Sequence, residues 1–340
     1  MDMKQTLFEL SSSCGLSGEE SCTAERAKQI LSPFVDTVNQ DTMGNLIGQR
    51  KAKTNGAKTI VLDAHLDEVG LIVTGHEAGF LKFTAIGVDP RILPGLEVKI
   101  LSQPPRFGVV TCPPPHLAKD RDEEKAFEMD QMRIDCGLPT EDAIRLIPVG
   151  TRVAYGTKPF LLGEKSVCGK SLDDRACFVI LCRVMELLRD EELPVNIYVV
   201  GSVQEEYTGL GAATAGYRLV PDEAIIVDVS FADTPDSPSE DTSPLGSGPM
   251  IGVGPVLNRR MSSRMKVLAE ANKIPYTVEV LPSWTGTNAD DLQMSRQGVA
   301  VSCISLPLRY MHTPLESVDL DDMEHCAQLI AAYIRSRGEE

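Results

Sequence analysis

Short runs of apolar and β-branched residues alternate with longer segments of helical periodicity along most of the chain. The runs at 59–62, 196–203, 224–227 and 299–306 have the composition of buried strands and are too short to span a membrane. The segment 172–188 is apolar on almost every face, which is typical of a buried helix. This alternation predicts an α/β fold with a mostly parallel central sheet flanked by helices.

The pattern changes between residues 69 and 164. Short β-like runs there alternate with turns rich in glycine and proline, and no long apolar helix intervenes. We therefore expect a small β-barrel-like insertion domain at 69–164, placed inside a discontinuous α/β domain made of 1–68 and 165–340. The charged run at 119–125 is interpreted as a solvated loop or helix face.

Composition narrows the classes of partner. The net charge of −16 argues against binding to nucleic acid or to anionic membranes, both of which require basic surfaces. The first residues lack the pattern of a signal peptide, and no apolar run approaches the ~20 residues of a membrane span. We expect a cytoplasmic protein. Its nine cysteines have no CxxC spacing and are expected to be mostly buried free thiols.

Candidate metal ligands and a candidate catalytic carboxylate, Glu205, follow the predicted strands. The carboxyl ends of parallel strands meet at one edge of a sheet, where α/β proteins bind ligands. Each feature alone is weak, because paired glutamates or aspartates often do no more than begin a helix. Asp67 lies two residues after His65, on the same face of the strand, and could hold the imidazole of His65 in place. The candidates at or after these strands and at the start of the buried helix are His65, Glu205, Glu206, Asp228, His312 and Asp173.

Three carboxylates and two imidazoles fit two metal ions if Asp173 is shared between them. Three negative charges and a hydroxide then balance two divalent cations. Water held by such ions ionises near neutral pH, and Glu205 could carry its proton to a leaving amine. We therefore expect two divalent ions and hydrolysis of an amide. Mixed nitrogen and oxygen ligands favour zinc, with cobalt or manganese also compatible.

The chain resembles the TET-type di-metal aminopeptidases, the group of glutamyl aminopeptidases and of proteins labelled CelM/FrvX endoglucanases. The matching motifs occur in the family's order from one end of the chain to the other. They are 63–70 (DAHLDEVG), 89–91 (DPR), 113–117 (PPPHL), 172–175 (LDDR), 204–206 (QEE), 227–229 (VDV), 286–287 (GT) and 309–314 (RYMHTP).

The resemblance implies an intracellular metallo-aminopeptidase that removes N-terminal residues from short peptides. It also implies that the insertion mediates dimerisation within a large hollow homo-oligomer, a tetrahedral dodecamer. The implied roles are His65 and Asp228 on one metal, Glu206 and His312 on the other, Asp173 bridging both, Asp67 orienting His65, and Glu205 as general base.

Three features depart from the family pattern. Cys177 stands where glycine is usual, and we expect it to tighten helix packing without removing a ligand. The segment 231–235 is shorter than the usual loop, and Asn288 replaces a common aspartate after Gly-Thr. Both are expected near the substrate pocket, where they bear on specificity.

Other functions remain open at this stage. A di-metal deacylase or carboxypeptidase would use the same ligands. The endoglucanase suggested by the family label ranks lower, since a glycosidase needs two carboxylates free of metal. A non-catalytic metal-bound scaffold ranks lower still, because it would have no use for Glu205 as a base.

Overall fold

The computed structural model describes residues 1–114, 116, 126–235, 237–238 and 240–338. The charged run at 119–125, together with Pro115 and Leu117 of the proline-rich motif, lies outside these residues. The strands of the described part are β1 Thr37–Gln40, β2 Leu46–Arg50, β3 Thr59–His65, β4 Gly70–Glu77, β5 Phe80–Ile86, β6 Glu97–Ile100, β7 Arg106–Thr111, β8 Arg133–Asp135, β9 Arg152–Tyr155, β10 Phe160–Leu162, β11 Ser166–Gly169, β12 Asn196–Ser202, β13 Glu223–Phe231, β14 Met250–Val253, β15 Thr277–Val280, β16 Ala300–Arg309 and β17 Glu316–Asp319.

The α-helices connect these strands or cover the sheet. They are α1 Met3–Ser12, α2 Ser21–Leu31, α3 Thr140–Leu146, α4 Leu172–Leu187, α5 Glu205–Thr208, α6 Leu210–Leu219, α7 Arg259–Asn272, α8 Ala289–Leu292 and α9 Leu320–Ser336. Short 3₁₀ turns occur at Ser32–Phe34, Pro90–Ile92 and Met129–Gln131.

Eleven of the described strands form one mixed sheet. Its order is β1-β2-β12-β3-β13-β16-β17-β11-β10, with β14 beside β16 and β15 beside β14. The central strands β12, β3, β13 and β16 run parallel to one another, so their carboxyl ends meet at one edge. The predicted α/β fold with a mostly parallel central sheet is confirmed.

Helix α4 lies in the middle of the larger core. Its sequence is apolar on nearly all sides because it packs on the sheet through β3 and β13 and is covered by α1 and α9. Phe178 and Ile180 are fully buried there. Helices α6 and α8 cover the opposite face, where Val61, Val200 and Ala212 form a second apolar cluster. Helices on both faces thus fix the strand ends from two sides.

A closed antiparallel barrel is formed by the strands between β3 and β10. Its order is β4-β5-β8-β7-β6-β9, and it has its own core around Leu71, Val98 and Ile134. This confirms the β-barrel-like character of the insertion. Strand β10 lies inside the predicted insertion range of 69–164, but it pairs with β11 in the large sheet. The chain therefore returns to the large sheet before residue 164.

All nine cysteines are free, and six of them are buried, as expected from the sequence. Among the described residues, no helix combines the length and the apolar character that crossing a membrane requires.

Candidate active site

The predicted site residues converge at the carboxyl edge of the parallel strands. His65 ends β3, Asp228 lies in β13, and Glu205 and Glu206 begin α5 directly after β12. The loop after β16 brings His312 and the start of α4 brings Asp173, so elements far apart in sequence contribute to the cluster. These side chains line a cavity of about 580 Å³.

Asp173 lies between the two imidazoles. Its Oδ1 is 3.0 Å from His65 Nε2, and its Oδ2 is 3.3 Å from His312 Nε2. Glu206 Oε2 is also 3.3 Å from His312 Nε2. Burial would raise the pKa of Asp173, but the contacts with His312 and His65 bring it below its ordinary value. Asp173 therefore has the position expected of a shared ligand.

Asp67 links two parts of the site. Its backbone oxygen and its carboxylate Oδ1 lie 3.2 and 3.4 Å from His65 Nδ1. The same carboxylate accepts hydrogen bonds from the backbone amides of Glu205 and Glu206, at 3.0 and 3.2 Å, and from the Ser17 hydroxyl at 2.6 Å. Asp67 thereby ties the end of β3 to the start of α5, and its predicted role in orienting His65 stays a prediction.

Glu205 lies beside the cluster, with Oε2 3.9 Å from His65 Nε2. Its side chain is 16% exposed, so it can reach the cavity. Burial raises the pKa of Glu205 to about 7, although the neighbouring His65 charge opposes that change. A carboxyl group with such a pKa can exchange protons at neutral pH.

Asp174 is a candidate ligand that the sequence reasoning did not single out. Ligand atoms of His65, Asp174 and Asp228 lie within 4.8 Å of one another, as do those of His65, Asp173 and Glu206. Because it follows Asp173 directly, Asp174 was interpreted only as part of a helix start. Its Oδ2 accepts a hydrogen bond from the His65 amide at 3.1 Å.

These carboxylates suit a bound cation. Burial raises the pKa of Glu206, Asp174 and Asp228 well above their ordinary values, so packing them as anions without a cation is unfavourable. Glu206 Oε1 and Asp174 Oδ1 are buried and have no hydrogen-bond partner among the described residues. A divalent ion at these oxygens would supply a counter-charge for the ionised carboxylates.

Glu316 is a further residue that no sequence motif indicated. It is 1% exposed, and its carboxylate accepts hydrogen bonds from the backbone amides of His312, Leu172 and Asp173 at 2.8, 2.7 and 3.1 Å. His312 has a φ of 61°, a left-handed conformation that is strained for a residue with a side chain. Glu316 therefore holds the backbone of two predicted ligands in place.

A cluster of buried, charged side chains lies next to the start of α4. Glu68 Oε2 accepts hydrogen bonds from Lys170 Nζ at 2.6 Å and from the Ser171 hydroxyl, and its Oε1 accepts from Arg175 at 3.0 Å and from the Gly15 amide at 2.8 Å. The Glu68, Lys170 and Arg175 side chains are at most 2% exposed. The cluster joins the segments that follow α1 and β3 to the start of α4, which carries Asp173.

The residues that depart from the family pattern differ in their burial and in whether they line the cavity. Cys177 is fully buried, and contact with Asp174 adds to burial in raising the pKa of its thiol. Phe231, at the start of the shortened loop, lines the cavity. Asn288 is 1% exposed and does not line it, because its amide donates hydrogen bonds to Asp63 and Ser202, both at 2.8 Å. Asn288 therefore links the ends of β3 and β12 by hydrogen bonds.

An α/β fold whose strand ends assemble imidazoles and carboxylates around a cavity is an arrangement that metal-dependent hydrolases use. The model of the M42 glutamyl aminopeptidase family matches residues 44–329, so the chain belongs to this family of peptidases. The resemblance seen in the sequence is thereby confirmed.

The relatives cover nearly the whole chain. The lysyl aminopeptidase of Pyrococcus furiosus is 32% identical over 94% of this chain and 93% of its own. An aminopeptidase from the archaeon Desulfurococcus kamchatkensis has a TM-score of 0.92 at 30% identity, covering 98% of this chain and 94% of that one. The Pyrococcus horikoshii TET1 peptidase, described as assembling into a tetrahedron or a large octahedral shell, has a TM-score of 0.86 at 28% identity, with 98% and 99% covered.

Proposed function

We propose that the protein is an aminopeptidase that uses two divalent ions, with Glu205 as general base, to remove N-terminal residues from short peptides. Family membership supports peptide hydrolysis. The observation that carries the finer proposal is the position of Asp173 between His65 and His312, with Glu205 beside them and outside the predicted ligand set.

In this proposal His65 and Asp228 hold one ion, Glu206 and His312 hold the other, and Asp173 is shared. Zinc suits this mixture of imidazole and carboxylate, and cobalt or manganese would also be accepted. Bound ions of this kind activate water and polarise a substrate carbonyl.

Glu205 moves the proton in the proposed reaction. Its carboxylate accepts a proton from the attacking water and donates it to the nitrogen of the scissile bond, so that the C–N bond breaks and the amine leaves neutral. The backbone hydrogen bond from Glu205 to Asp67 holds the base in position.

The charge of the cavity favours a free amino terminus. Glu205 and the other acidic lining residues outside the predicted ligand set attract the α-ammonium group of a peptide. A carboxypeptidase or a deacylase of N-acyl amino acids must bind a free carboxylate, yet no lysine or arginine lines the described part of this cavity. A glycosidase needs two uncommitted carboxylates, whereas Asp173 and Glu206 both contact imidazoles.

The experiment is mass spectrometry of a peptide pool incubated with the zinc- or cobalt-loaded protein. Half of the pool has free N-termini and half has acetylated N-termini. We expect stepwise loss of N-terminal residues from the free peptides alone. Cleavage of acetylated peptides, or loss of residues from the carboxyl end, would contradict the proposal and favour the deacylase or carboxypeptidase alternatives.

We also propose that the chain assembles into a large homo-oligomer, with the insertion at 69–164 as its dimerisation domain. The tetrahedral or octahedral assembly described for the Pyrococcus horikoshii relative supports this. So does the exposure of Phe107 and Val109 on the barrel, at 63% and 44%. A tetrahedral dodecamer and a cytoplasmic location belong to the same proposal.

A further inference from the structure

Glu279 lies in the wall of the cavity that contains the candidate metal ligands. It belongs to β15, and its carboxylate accepts hydrogen bonds from the hydroxyls of Ser230 and Ser305, the latter at 2.6 Å. Ser230 is in β13 and Ser305 in β16, so two central strands fix the position of the carboxylate. Glu279 is thus a partly buried anion held in a defined place.

The strand register places the two serines that hold Glu279 next to Asp228, a candidate ligand. Ser305 pairs directly with Asp228 across the parallel strands, and Ser230 lies two residues after Asp228 on the same face. Neighbouring strands are ~4.8 Å apart, and two residues of a strand span ~6.6 Å. A peptide whose first carbonyl lies at the centre could therefore direct its first side chain towards Glu279.

The other residues of the cavity wall also suit a basic side chain. Apart from the predicted ligands and Glu205, the charged side chains among the described lining residues are all acidic, namely Glu240, Asp241 and Glu279. Phe231 and Met250 supply apolar surface in the same cavity. Lysine and arginine side chains combine an apolar stem with a terminal cation, so they fit such a wall. An acidic side chain would be repelled by it.

We propose that Glu279 binds the side chain of a basic N-terminal residue, and that peptides beginning with lysine or arginine are the preferred substrates. This inference rests on the proposed aminopeptidase function and extends it to the substrate class. The ammonium or guanidinium group forms a charge-assisted hydrogen bond with Glu279, which remains anchored by Ser230 and Ser305.

The test compares kcat/KM for peptides that differ only in their first residue. Lysine and norleucine form the key pair, because norleucine keeps the stem of lysine and lacks its cation. With the metal-loaded wild-type protein we expect lysine to be favoured by about 10- to 100-fold. Glu279→Gln should bring the ratio of kcat/KM for the lysine peptide to kcat/KM for the norleucine peptide close to one, and this ratio is measured within each variant. Glu270→Gln is the matched control, since Glu270 is exposed on α7 and does not line the cavity.

Two results would overturn the inference while leaving the proposed function in place. One is equal cleavage of lysine and norleucine peptides by the wild-type protein, which requires no variant. The other is an equal loss for all peptides in Glu279→Gln, which would assign Glu279 to α-amine binding or to structure. Failure of the wild-type protein to cleave any free peptide would instead contradict the proposed function, and this inference with it.

Discussion

Glu68 shows how much a single buried residue contributes to the site. It forms ion pairs with two buried cations, Lys170 and Arg175. Burial alone would raise its pKa, but the charges of Arg175 and Lys170 lower the pKa of Glu68 to about 2. Because the folded-state value is below the ordinary 4.5, ionised Glu68 stabilises the fold above that pH. The contribution is lost as the pH falls through about 2.

We predict that Glu68→Gln lowers the melting temperature at pH 7 by roughly 5–10 °C, since it leaves two buried cations without a counter-charge. Thermal melting followed by circular dichroism measures this. The control is Glu9→Gln, which removes an exposed ion pair with Arg26 and should cost about 2 °C or less. The difference between Glu68→Gln and wild type should shrink between pH 4 and pH 2. Equal melting temperatures at pH 7 would contradict a stabilising role for Glu68.

Individual site residues could be predicted from the sequence only where a strongly patterned strand or helix indicated their position. His65 and Asp228 lie at the ends of apolar runs, so the parallel sheet brings them together. Glu316 and Asp174 could not be assigned, because their contacts depend on the backbone of other segments. Glu316, for example, accepts hydrogen bonds from residues 144 and 143 positions away in sequence.

At the scale of elements, periodicity predicted the long and strongly patterned segments well. The helix expected at 172–188 is observed as Leu172–Leu187, and the expected strand at 224–227 lies within Glu223–Phe231. Short strands were harder to assign. Phe160–Leu162 is apolar but fully on the surface, and only its pairing with Ser166–Gly169 places it in the large sheet. A three-residue strand has too little pattern to identify its partner.

The order of strands in the barrel also lies beyond the sequence pattern. Its alternation of short strands and turns predicts an all-β unit. The arrangement β4-β5-β8-β7-β6-β9 depends on which distant strands pair, as β6 does with β9. Such long-range contacts leave no periodic signal in a single sequence.

At the scale of the whole molecule, assembly was expected from resemblance alone, since neither composition nor spacing reports it. The structure adds the exposed apolar side chains of β7, which lie on the barrel. Large apolar side chains that cluster on a surface are typical of interaction sites. The exposed side chains of β7 therefore form a surface on which the proposed dimerisation role of the insertion can be tested.

Replacing both Phe107 and Val109 by aspartate should reduce the particle mass in sedimentation velocity, because charges would then have to be buried in the proposed interface. Val267→Asp is the control: Val267 is 55% exposed on α7, away from the barrel, and its replacement should leave the particle unchanged. An unchanged particle in the barrel variant would contradict assembly through this face.

The most direct test of the central claim is the turnover of Glu205→Gln with a free-amino-terminus peptide, measured at equal metal content. Glutamine keeps the shape of Glu205 but cannot accept the proton of water. Because Glu205 is outside the predicted ligand set, elemental analysis should find the same ions in variant and wild type. We predict that kcat falls by roughly 100- to 10,000-fold. A kcat within a few-fold of wild type, with the ions retained, would show that Glu205 is not the general base.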